Sequence, residues 1–292
     1  MKLAFVVLSY NSADALLAVL RGLAPQCPAD AVVVVADDGS RPDQVDALRR
    51  GLPRFACPVR HVWHPDVGFT ASRARNLGAL YAAQDAQADY IVFMDGDCVP
   101  TPHFVRAHLA LAQAGHFVNG SRILLGQGLS ERVRTRQVDL SALGLFDWVR
   151  LRMRGEVNKL SQFLFLPNMP GRVETRFRWK GIRSCNFAIW YRDLAAVNGF
   201  DETFQGWGHE DADLVLRLQR HGLARKNGFW STEVFHLWHK ENKRDREDIN
   251  RRRVMERMQQ PIVQATQGLS HAAVATDVVV TELNGQRVDK SE

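Results

Sequence analysis

The apolar residues of the first 120 positions form short unbroken runs, separated by longer stretches with helical periodicity. The runs are rich in β-branched residues, which is typical of strands buried on both faces of a parallel sheet. Between them, apolar residues recur three or four positions apart, as on one face of a helix. The pattern predicts strands at Leu3–Leu8, Ala31–Ala36, Arg60–Trp63 and Tyr90–Met94, and helices after Ser12, after Pro42 and from about Thr70 to Asp85. This alternation predicts an α/β fold, a single Rossmann-like domain with a mostly parallel central sheet.

The second half of the chain is less regular, and residues 121–180 mix arginine with large apolar side chains. The tail from Gln267 is small and polar, with one β-like run at Val278–Val280, so we predict no fixed structure for it. Further elements are predicted as strands at Ser184–Trp190 and Val234–Trp238, a helix at about Glu210–His221 and a charged helix from Lys240 to about Gln259. We therefore expect one domain over residues 1–240, with halves 1–120 and 121–240, and a charged helical extension with a flexible tail over 241–292.

Polar clusters follow three of the predicted strands. They are Ser9-Tyr10-Asn11, Asp37-Asp38-Gly39-Ser40 and Asp95-Gly96-Asp97. Because ligands of open α/β sheets bind beyond the carboxyl ends of the strands, we expect the three clusters to share one site.

Asp95 and Asp97 have the spacing of a cation site. In extended backbone, side chains two positions apart point the same way, and Gly96 allows a ligand close to the backbone. Two carboxylates on one side suit Mg²⁺ or Mn²⁺, which in turn can hold a diphosphate. A loop with two solvated acids is the alternative. Asp37 and Asp38 likewise suit either a plain turn or a nucleoside contact.

Arg73, Arg75 and Asn76 lie near the start of the helix predicted from Thr70. Arginines at that position can pair with phosphates. Neighbouring residues do not share a helix face, so only some of the three can point inward. A solvated helix face is the alternative.

The segment from Gly206 to Asp213 places Trp207 between two glycines, just before a group of acids. Acids at a helix start are favoured by the helix dipole alone, so a purely structural role stays open. An indole in a close-approach loop is suited to stacking on a sugar, and a carboxylate beside it to removing a proton from a hydroxyl. His236 and His239 flank Leu237-Trp238; imidazoles are more often structural, but they also bind Mn²⁺-type ions.

Composition narrows these choices only partly. The formal net charge of +6 suits an anionic small substrate, a membrane surface or a nucleic acid. The four cysteines form no CxxC pair, which indicates reduced thiols in a cytosolic protein. Lys2 leads directly into a short apolar run, so we expect no signal peptide, and no run is long enough to span a bilayer. Any membrane contact is expected to be peripheral.

The segment Glu131–Arg183 carries twelve Lys/Arg against five acids, a net charge of +7, so the rest of the chain is close to neutral. Its basic residues are interleaved with aromatic ones. This pattern fits a flap that meets a phosphorylated or lipid-linked glycan, a module that binds polyanions or membranes, or a solvated loop.

Taken in order, these motifs resemble family 2 glycosyltransferases with the nucleotide-sugar-binding A-type fold. The matching pieces of the first half are Val6-Val7-Leu8-Ser9-Tyr10-Asn11, Asp37-Asp38-Gly39-Ser40, Ala74-Arg75-Asn76-Leu77-Gly78 and Phe93-Met94-Asp95-Gly96-Asp97. The second half is similar to the galactosyltransferase-type segment of chondroitin polymerases and β-1,4-galactosyltransferases. Its matching pieces are Ser184-Cys185-Asn186-Phe187-Ala188, Asn198-Gly199-Phe200-Asp201-Glu202 and Trp207-Gly208-His209-Glu210-Asp211.

The resemblance implies a role for each matching residue. The nucleotide of a UDP-sugar would be held by Ser9, Tyr10, Asn11, Asp37, Asp38, Arg73, Asn76, Asp95 and Gly96. Mn²⁺ or Mg²⁺ would be bound by Asp95, Asp97 and His239. The sugars would be positioned by Asn186, Trp207, Gly208 and Glu210. Asp211 would be the catalytic base of a single inverting displacement on the acceptor hydroxyl. His209 departs from the family pattern, which has a second glycine at that position.

The resemblance also implies a setting: a cytoplasmic enzyme of bacterial surface polysaccharide or lipopolysaccharide synthesis. It would act on a glycan or lipid-linked acceptor, with peripheral contact at the inner membrane face and no nucleic acid partner. A sugar-phosphate nucleotidyltransferase is disfavoured, because Val6–Asn11 lacks the glycine-rich loop ending in arginine. A dinucleotide enzyme is disfavoured because no GxGxxG follows a strand.

Overall fold

A computed structural model of the chain describes residues 1–240 and 244–284. Its strands are β1 (Leu3–Ser9), β2 (Val32–Asp37), β3 (Val59–Trp63), β4 (Tyr90–Asp95), β5 (Cys98–Pro100), β6 (His116–Asn119), β7 (Ser121–Leu124), β8 (Val173–Glu174), β9 (Asn186–Trp190), β10 (Ala224–Asn227), β11 (Glu233–His236) and β12 (Val279–Glu282). Its α-helices are α1 (Ala13–Leu23), α2 (Pro42–Gly51), α3 (Ala71–Gln84), α4 (Phe104–Leu111), α5 (Gln127–Arg134), α6 (Leu145–Met153), α7 (Tyr191–Ala196), α8 (Glu210–Arg220), α9 (Glu247–Met258) and α10 (Leu269–Ala272).

One large sheet has the order β12-β3-β2-β1-β4-β9-β6-β10-β8. The four strands β3, β2, β1 and β4 are parallel, as the unbroken apolar runs predict. The second half of the chain adds β9 antiparallel to both β4 and β6, so the whole sheet is mixed. The predicted α/β, Rossmann-like class is confirmed.

Both faces of the large sheet are buried. Along β1, Leu3, Phe5 and Val7 enter one apolar core, whereas Ala4 and Val6 enter the other. Helix α3 packs closely on the second face, because a Cβ on Gly78 would lie 2.7 Å from the Val6 side chain. Burial on both sides explains why the strands carry no polar alternation.

A second, three-stranded sheet has the order β5-β11-β7. Strand β5 begins directly after the polar cluster at the end of β4, and β11 pairs with it antiparallel. This pairing brings a segment from the second half of the chain to the carboxyl edge of the large sheet.

The prediction of a flexible tail is wrong for the residues up to 284. Strand β12 pairs antiparallel with β3 and becomes an edge of the large sheet. Helix α9 is fixed by Arg257, whose guanidinium pairs with Asp201 and Asp213 at 2.7 Å each. Sequence pattern alone misses β12 because its pairing depends on an open sheet edge more than 200 residues away in the chain. The rest of the predicted tail, residues 285–292, lies outside the described residues.

None of the described helices has the length and apolar character needed to cross a membrane.

Candidate active site

The carboxyl ends of β1 and β4 mark the point where the strand order reverses, and α/β sheets bind ligands at such points. Asp95 ends β4 beside Leu8 of β1. The backbone turns at Gly96 and Asp97 instead of staying extended, so the two carboxylates have different partners. The space beside Gly96 is also filled, since a Cβ there would lie 2.6 Å from the carbonyl oxygen of Leu8.

Asp97 faces the two histidines of the second half. Its Oδ2 lies 3.3 Å from Nε2 of His239 and 3.7 Å from Nε2 of His236. Burial lowers the pKa of His236, which favours the neutral imidazole that binds metals. Burial raises the pKa of the neighbouring Cys98 thiol well above its usual range, and its sulfur lies within 4.8 Å of ligand atoms of Asp97 and His236, so Cys98 is a further candidate ligand. A carboxylate with two imidazoles is a donor set that fits Mn²⁺-type ions.

Asp95 belongs to a different cluster, centred on Arg75. This arginine is 3% exposed and donates to Oδ1 of Asp95 at 2.8 Å and to Oε1 of Glu210 at 3.2 Å. Burial by itself lowers the pKa of Arg75, but the two carboxylates outweigh burial and the net shift is upward. Arg75 therefore stays charged and ties the end of β4 to the start of α8.

Glu210 and Asp211 form the first turn of α8. Burial raises the pKa of Glu210, and the charge of Asp211 raises it further, while Arg75 opposes both. Burial also raises the pKa of Asp211, whereas the hydrogen bond that its carboxylate accepts from the amide of Ala212 at 2.7 Å lowers it. A carboxylate with a raised pKa is a stronger base, as deprotonation of a sugar hydroxyl requires.

The loop before α8 holds Trp207 between residues in the left-handed conformation. Gly206 and Gly208 have φ values of +75° and +100°, and His209 keeps a φ of +73°. His209 thus adopts backbone angles that glycine favours, which fits the family pattern of glycine at this position. Trp207 has the guanidinium of Arg244 over one ring face, 4.5 Å from the centroid.

The predicted nucleoside contacts are largely engaged within the protein. Asp37 accepts from the amide of Ser40 at 2.8 Å and lies 2.7 Å from Nε2 of His61. Asp38 accepts from both the amide and the hydroxyl of Thr70. Each of these two carboxylates is less than 5% exposed.

The residues at the end of β1 are more open. The amide of Asn11 donates to the Ser40 hydroxyl at 2.8 Å, and Ser9 is buried beneath it. Tyr10 is half exposed, with its hydroxyl 3.0 Å from Asp66. Tyr10 is therefore the side chain of this group that a nucleoside can reach directly.

Three predicted contact residues have their side-chain polar groups engaged within the protein. The guanidinium of Arg73 pairs with Asp277 at 2.5 Å. Asn76 is fully buried and holds the backbone of Phe200 through both ends of its amide. Asn186 is fully buried and accepts a 3.0 Å hydrogen bond from His108 in the core. The burial of Asn76 and Asn186 corrects the expectation that their side chains touch substrate, whereas the contact expected of Arg73, which is partly exposed, stays a prediction.

Arg75 and His236 are sequence candidates to which the family resemblance assigns no role, and the structure places both in the site. Arg75 shares a helix face with Ala71, Gly78 and Ala82, all buried against the sheet, and that stripe of small residues is the signal that separates it from Arg73. His236 lies opposite Cys98 in the β5–β11 pair, and this position is known only from the structure.

Comparison with known families agrees with this geometry. Residues 4–189 match glycosyl transferase family 2, and residues 171–240 match the family described as the N-terminal domain of galactosyltransferase. Validoxylamine A glucosyltransferase of Streptomyces hygroscopicus subsp. jinggangensis (strain 5008) is 30% identical over 251 residues, which cover 80% of this chain and 56% of that protein. Hyaluronan synthase of Pasteurella multocida is 28% identical over 240 residues, which cover 74% of this chain and 22% of that protein. The chain thus spans little more than half of the first relative and under a quarter of the second.

Solved structures share the fold. S. aureus TarS 1-349 in complex with UDP-GlcNAc aligns with a TM-score of 0.55 and 14% identity, covering 93% of this chain and 69% of that chain. GalNAc-T7 with UDP, GalNAc and Mn²⁺ aligns with a TM-score of 0.50 and 16% identity, covering 82% of this chain and 44% of that chain. Identities this low show a common architecture and nothing finer.

Proposed function

The chain belongs to glycosyl transferase family 2, and from that premise we propose that it moves a sugar from a UDP-sugar to a hydroxyl of a glycan or lipid-linked acceptor, with inversion and with Mn²⁺ or Mg²⁺. One observation carries the proposal. A donor set suited to such a cation, at Asp97 and the two histidines, lies at the same sheet edge as a partly buried acidic pair, Glu210 and Asp211, with raised pKa values. A metal-dependent inverting transferase needs both parts.

The donor end lies where β1 and β4 finish. Tyr10 offers an exposed ring and hydroxyl to the nucleoside, while Asp37 and Asp38 shape the floor beneath it. Asp97, His236 and His239 would hold the cation, which when bound supplies positive charge to the departing diphosphate. Asp95 is held in place by its ion pair with Arg75, and we assign it to the ribose of the donor.

The acceptor end lies at the start of α8. Asp211 is assigned as the base that takes the proton of the acceptor hydroxyl, and Glu210 orients the acceptor sugar through its shared contact with Arg75. Trp207 and Gly208 supply a stacking surface and a close backbone approach. The relatives named as glycosyltransferases and as hyaluronan synthase support this chemistry by likeness.

The assignment is tested by separating donor binding from transfer. UDP binding is measured by calorimetry with and without Mn²⁺, and UDP release is measured over a panel of nucleotide sugars with simple glycan acceptors. We expect Asp97→Asn to lose Mn²⁺-dependent UDP binding. We expect Asp211→Asn to keep UDP binding and to lose transfer by about 10²-fold or more.

His239→Gln should also weaken Mn²⁺-dependent UDP binding, and His221→Gln is its matched control, because His221 caps the far end of α8. UDP binding that ignores Mn²⁺, or wild-type transfer by Asp211→Asn, would contradict the corresponding assignment.

The setting that we propose is the cytoplasmic side of a bacterial membrane, in the synthesis of surface polysaccharide or lipopolysaccharide. The names of the relatives hyaluronan synthase and chondroitin synthase support a polysaccharide product. Radiolabelled sugar transfer into the lipid-extractable and the polymeric fraction of a membrane preparation distinguishes lipid-linked from free glycan acceptors.

A further inference from the structure

Helix α6 has two apolar faces, and only one of them is covered. Trp148 and Leu151 point into the protein, where the indole stacks on Phe235 at 4.9 Å between ring centroids. On the other side, Phe146 is 88% exposed and Met153 is 83% exposed. The exposed stripe of α6 consists of Leu145, Phe146, Val149 and Met153.

The exposed stripe has arginines along both of its edges. At 3.6 residues per turn, its four side chains spread over roughly 100° of the helix circumference. On the same count, Arg152 lies just outside one edge of this arc and Arg150 just outside the other. Both arginines are exposed, and among the described residues no carboxylate pairs with either of them or with Arg154. An apolar stripe bordered by unpaired cations is the pattern of a helix that lies in a membrane interface.

We propose that α6 docks the protein on an anionic lipid bilayer, with the exposed stripe in the acyl–headgroup boundary and the arginines against lipid phosphates. Charge complementarity decides between a bilayer and a protein partner. An apolar protein interface places few charges at its centre, whereas here cations border the stripe on each side and extend over the surrounding basic segment. The helix has nine residues and lies flat rather than crossing the bilayer.

The position of α6 relative to the candidate active site suits a membrane-bound acceptor. Phe235, on which Trp148 stacks, is followed in β11 by His236, which faces Asp97 from the opposite side of the strand. A helix packed on a sheet places the cation site roughly 15–20 Å from the bilayer surface. Membrane docking of this kind does not depend on the transfer reaction, so the two can be tested separately.

The test is flotation of the full chain with phosphatidylcholine vesicles, with and without added phosphatidylglycerol, at low and high salt. We expect binding that requires phosphatidylglycerol and weakens with salt. The double variant Phe146→Ser/Met153→Ser is expected to lose at least about tenfold in vesicle affinity. The double variant Arg150→Gln/Arg152→Gln is expected to lose about thirtyfold in vesicle affinity, because each arginine near an anionic surface contributes about 1 kcal/mol.

Matched controls change the same chemistry elsewhere. Met255→Ser/Val274→Ser removes two other exposed apolar side chains, and Arg49→Gln/Arg50→Gln removes two cations from the exposed face of α2. Both controls should float like the wild type, and all variants should keep UDP binding in the presence of Mn²⁺.

Three results overturn the proposal. The first is absence of vesicle binding, the second is equal binding to vesicles without phosphatidylglycerol, and the third is unchanged binding by both α6 variants. Self-association in sedimentation velocity that is abolished by Phe146→Ser/Met153→Ser, without any vesicle binding, would instead identify the stripe as an interface between copies of the chain.

Discussion

Arg75→Met tests whether the buried arginine holds the two halves of the candidate site together. Arg75 is nearly isosteric with methionine along its stem, so the change removes the charge and leaves most of the packing. In the wild type, the guanidinium reaches Asp95 at 2.8 Å and Glu210 at 3.2 Å. Without it, two carboxylates at the end of β4 and the start of α8 lose their shared cation.

The expected loss of unfolding free energy depends on how far each carboxylate is shielded from water. Removing one member of a buried ion pair costs about 3–5 kcal/mol of unfolding free energy. Asp95 is 29% exposed and partly screened by water, whereas Glu210 is only 12% exposed. We therefore expect a loss of about 2–4 kcal/mol at neutral pH.

The loss should depend on pH in a definite direction. Arg75 lowers the pKa values of Glu210 and Asp211, so its removal raises them further above their unfolded values. A carboxyl group with a raised folded pKa favours folding at low pH, and this contribution disappears as pH rises through the folded pKa. The stability deficit of Arg75→Met should therefore be small in mild acid and widen toward neutral pH.

The assay is urea unfolding followed by tryptophan fluorescence, at mildly acidic and at neutral pH. The matched control is Arg73→Met, two residues away on the same helix, because its partner Asp277 is 43% exposed and such a pair contributes about 0–1 kcal/mol. Equal losses for the two variants, or a deficit that shrinks as pH rises, would refute the reasoning.

Three further predictions concern the C-terminal segment and the base. Arg257→Met should cost about 3–5 kcal/mol in urea unfolding, because it leaves the buried Asp201 without its cation and leaves Asp213 with Arg217 alone, whereas the exposed Arg252→Met should cost little. Truncation after Thr276 removes β12 and should speed amide hydrogen exchange in β3, whose edge loses its partner, while exchange in β4 stays slow. The acidic limb of kcat/KM against pH should lie above the range of a free carboxyl, since burial raises the pKa of Asp211 and only the deprotonated form accepts the proton; a limb at about pH 4 or below would contradict this.

The strands that can be predicted from the sequence are those whose own apolar residues are enough to bury them. An unbroken β-branched run such as Val32–Asp37 is buried on both faces wherever the sheet lies, so its pattern identifies it. Strand β12 has mostly exposed side chains and exists through its pairing with β3. Whether such a run forms a strand depends on the backbone edge of a distant strand, and the local hydrophobic periodicity contains no information about that edge.

The site shows the same division between local and distant causes. That a polar cluster ends β4 follows from the sequence, and so does the location of the site at that edge. The direction of each carboxylate does not follow, because the turn at Gly96 sends Asp95 to Arg75 and Asp97 to the histidines. That both histidines reach Asp97 depends on the register of the β5–β11 pair, formed by segments about 140 residues apart.

Several residues that carry the family resemblance serve the scaffold rather than the ligand. Asp37, Asn76 and Asn186 are buried and have their polar groups satisfied by the protein itself. A buried polar side chain needs hydrogen-bond partners, so its presence in a motif is explained as well by its internal hydrogen bonds as by contact with a ligand. Sequence motifs therefore locate the site, and exposure decides which of their residues can reach a substrate. On that criterion the ligand contacts assigned to Tyr10, Asp97 and Trp207 stay predictions, whereas the three buried residues hold neighbouring backbone groups in place.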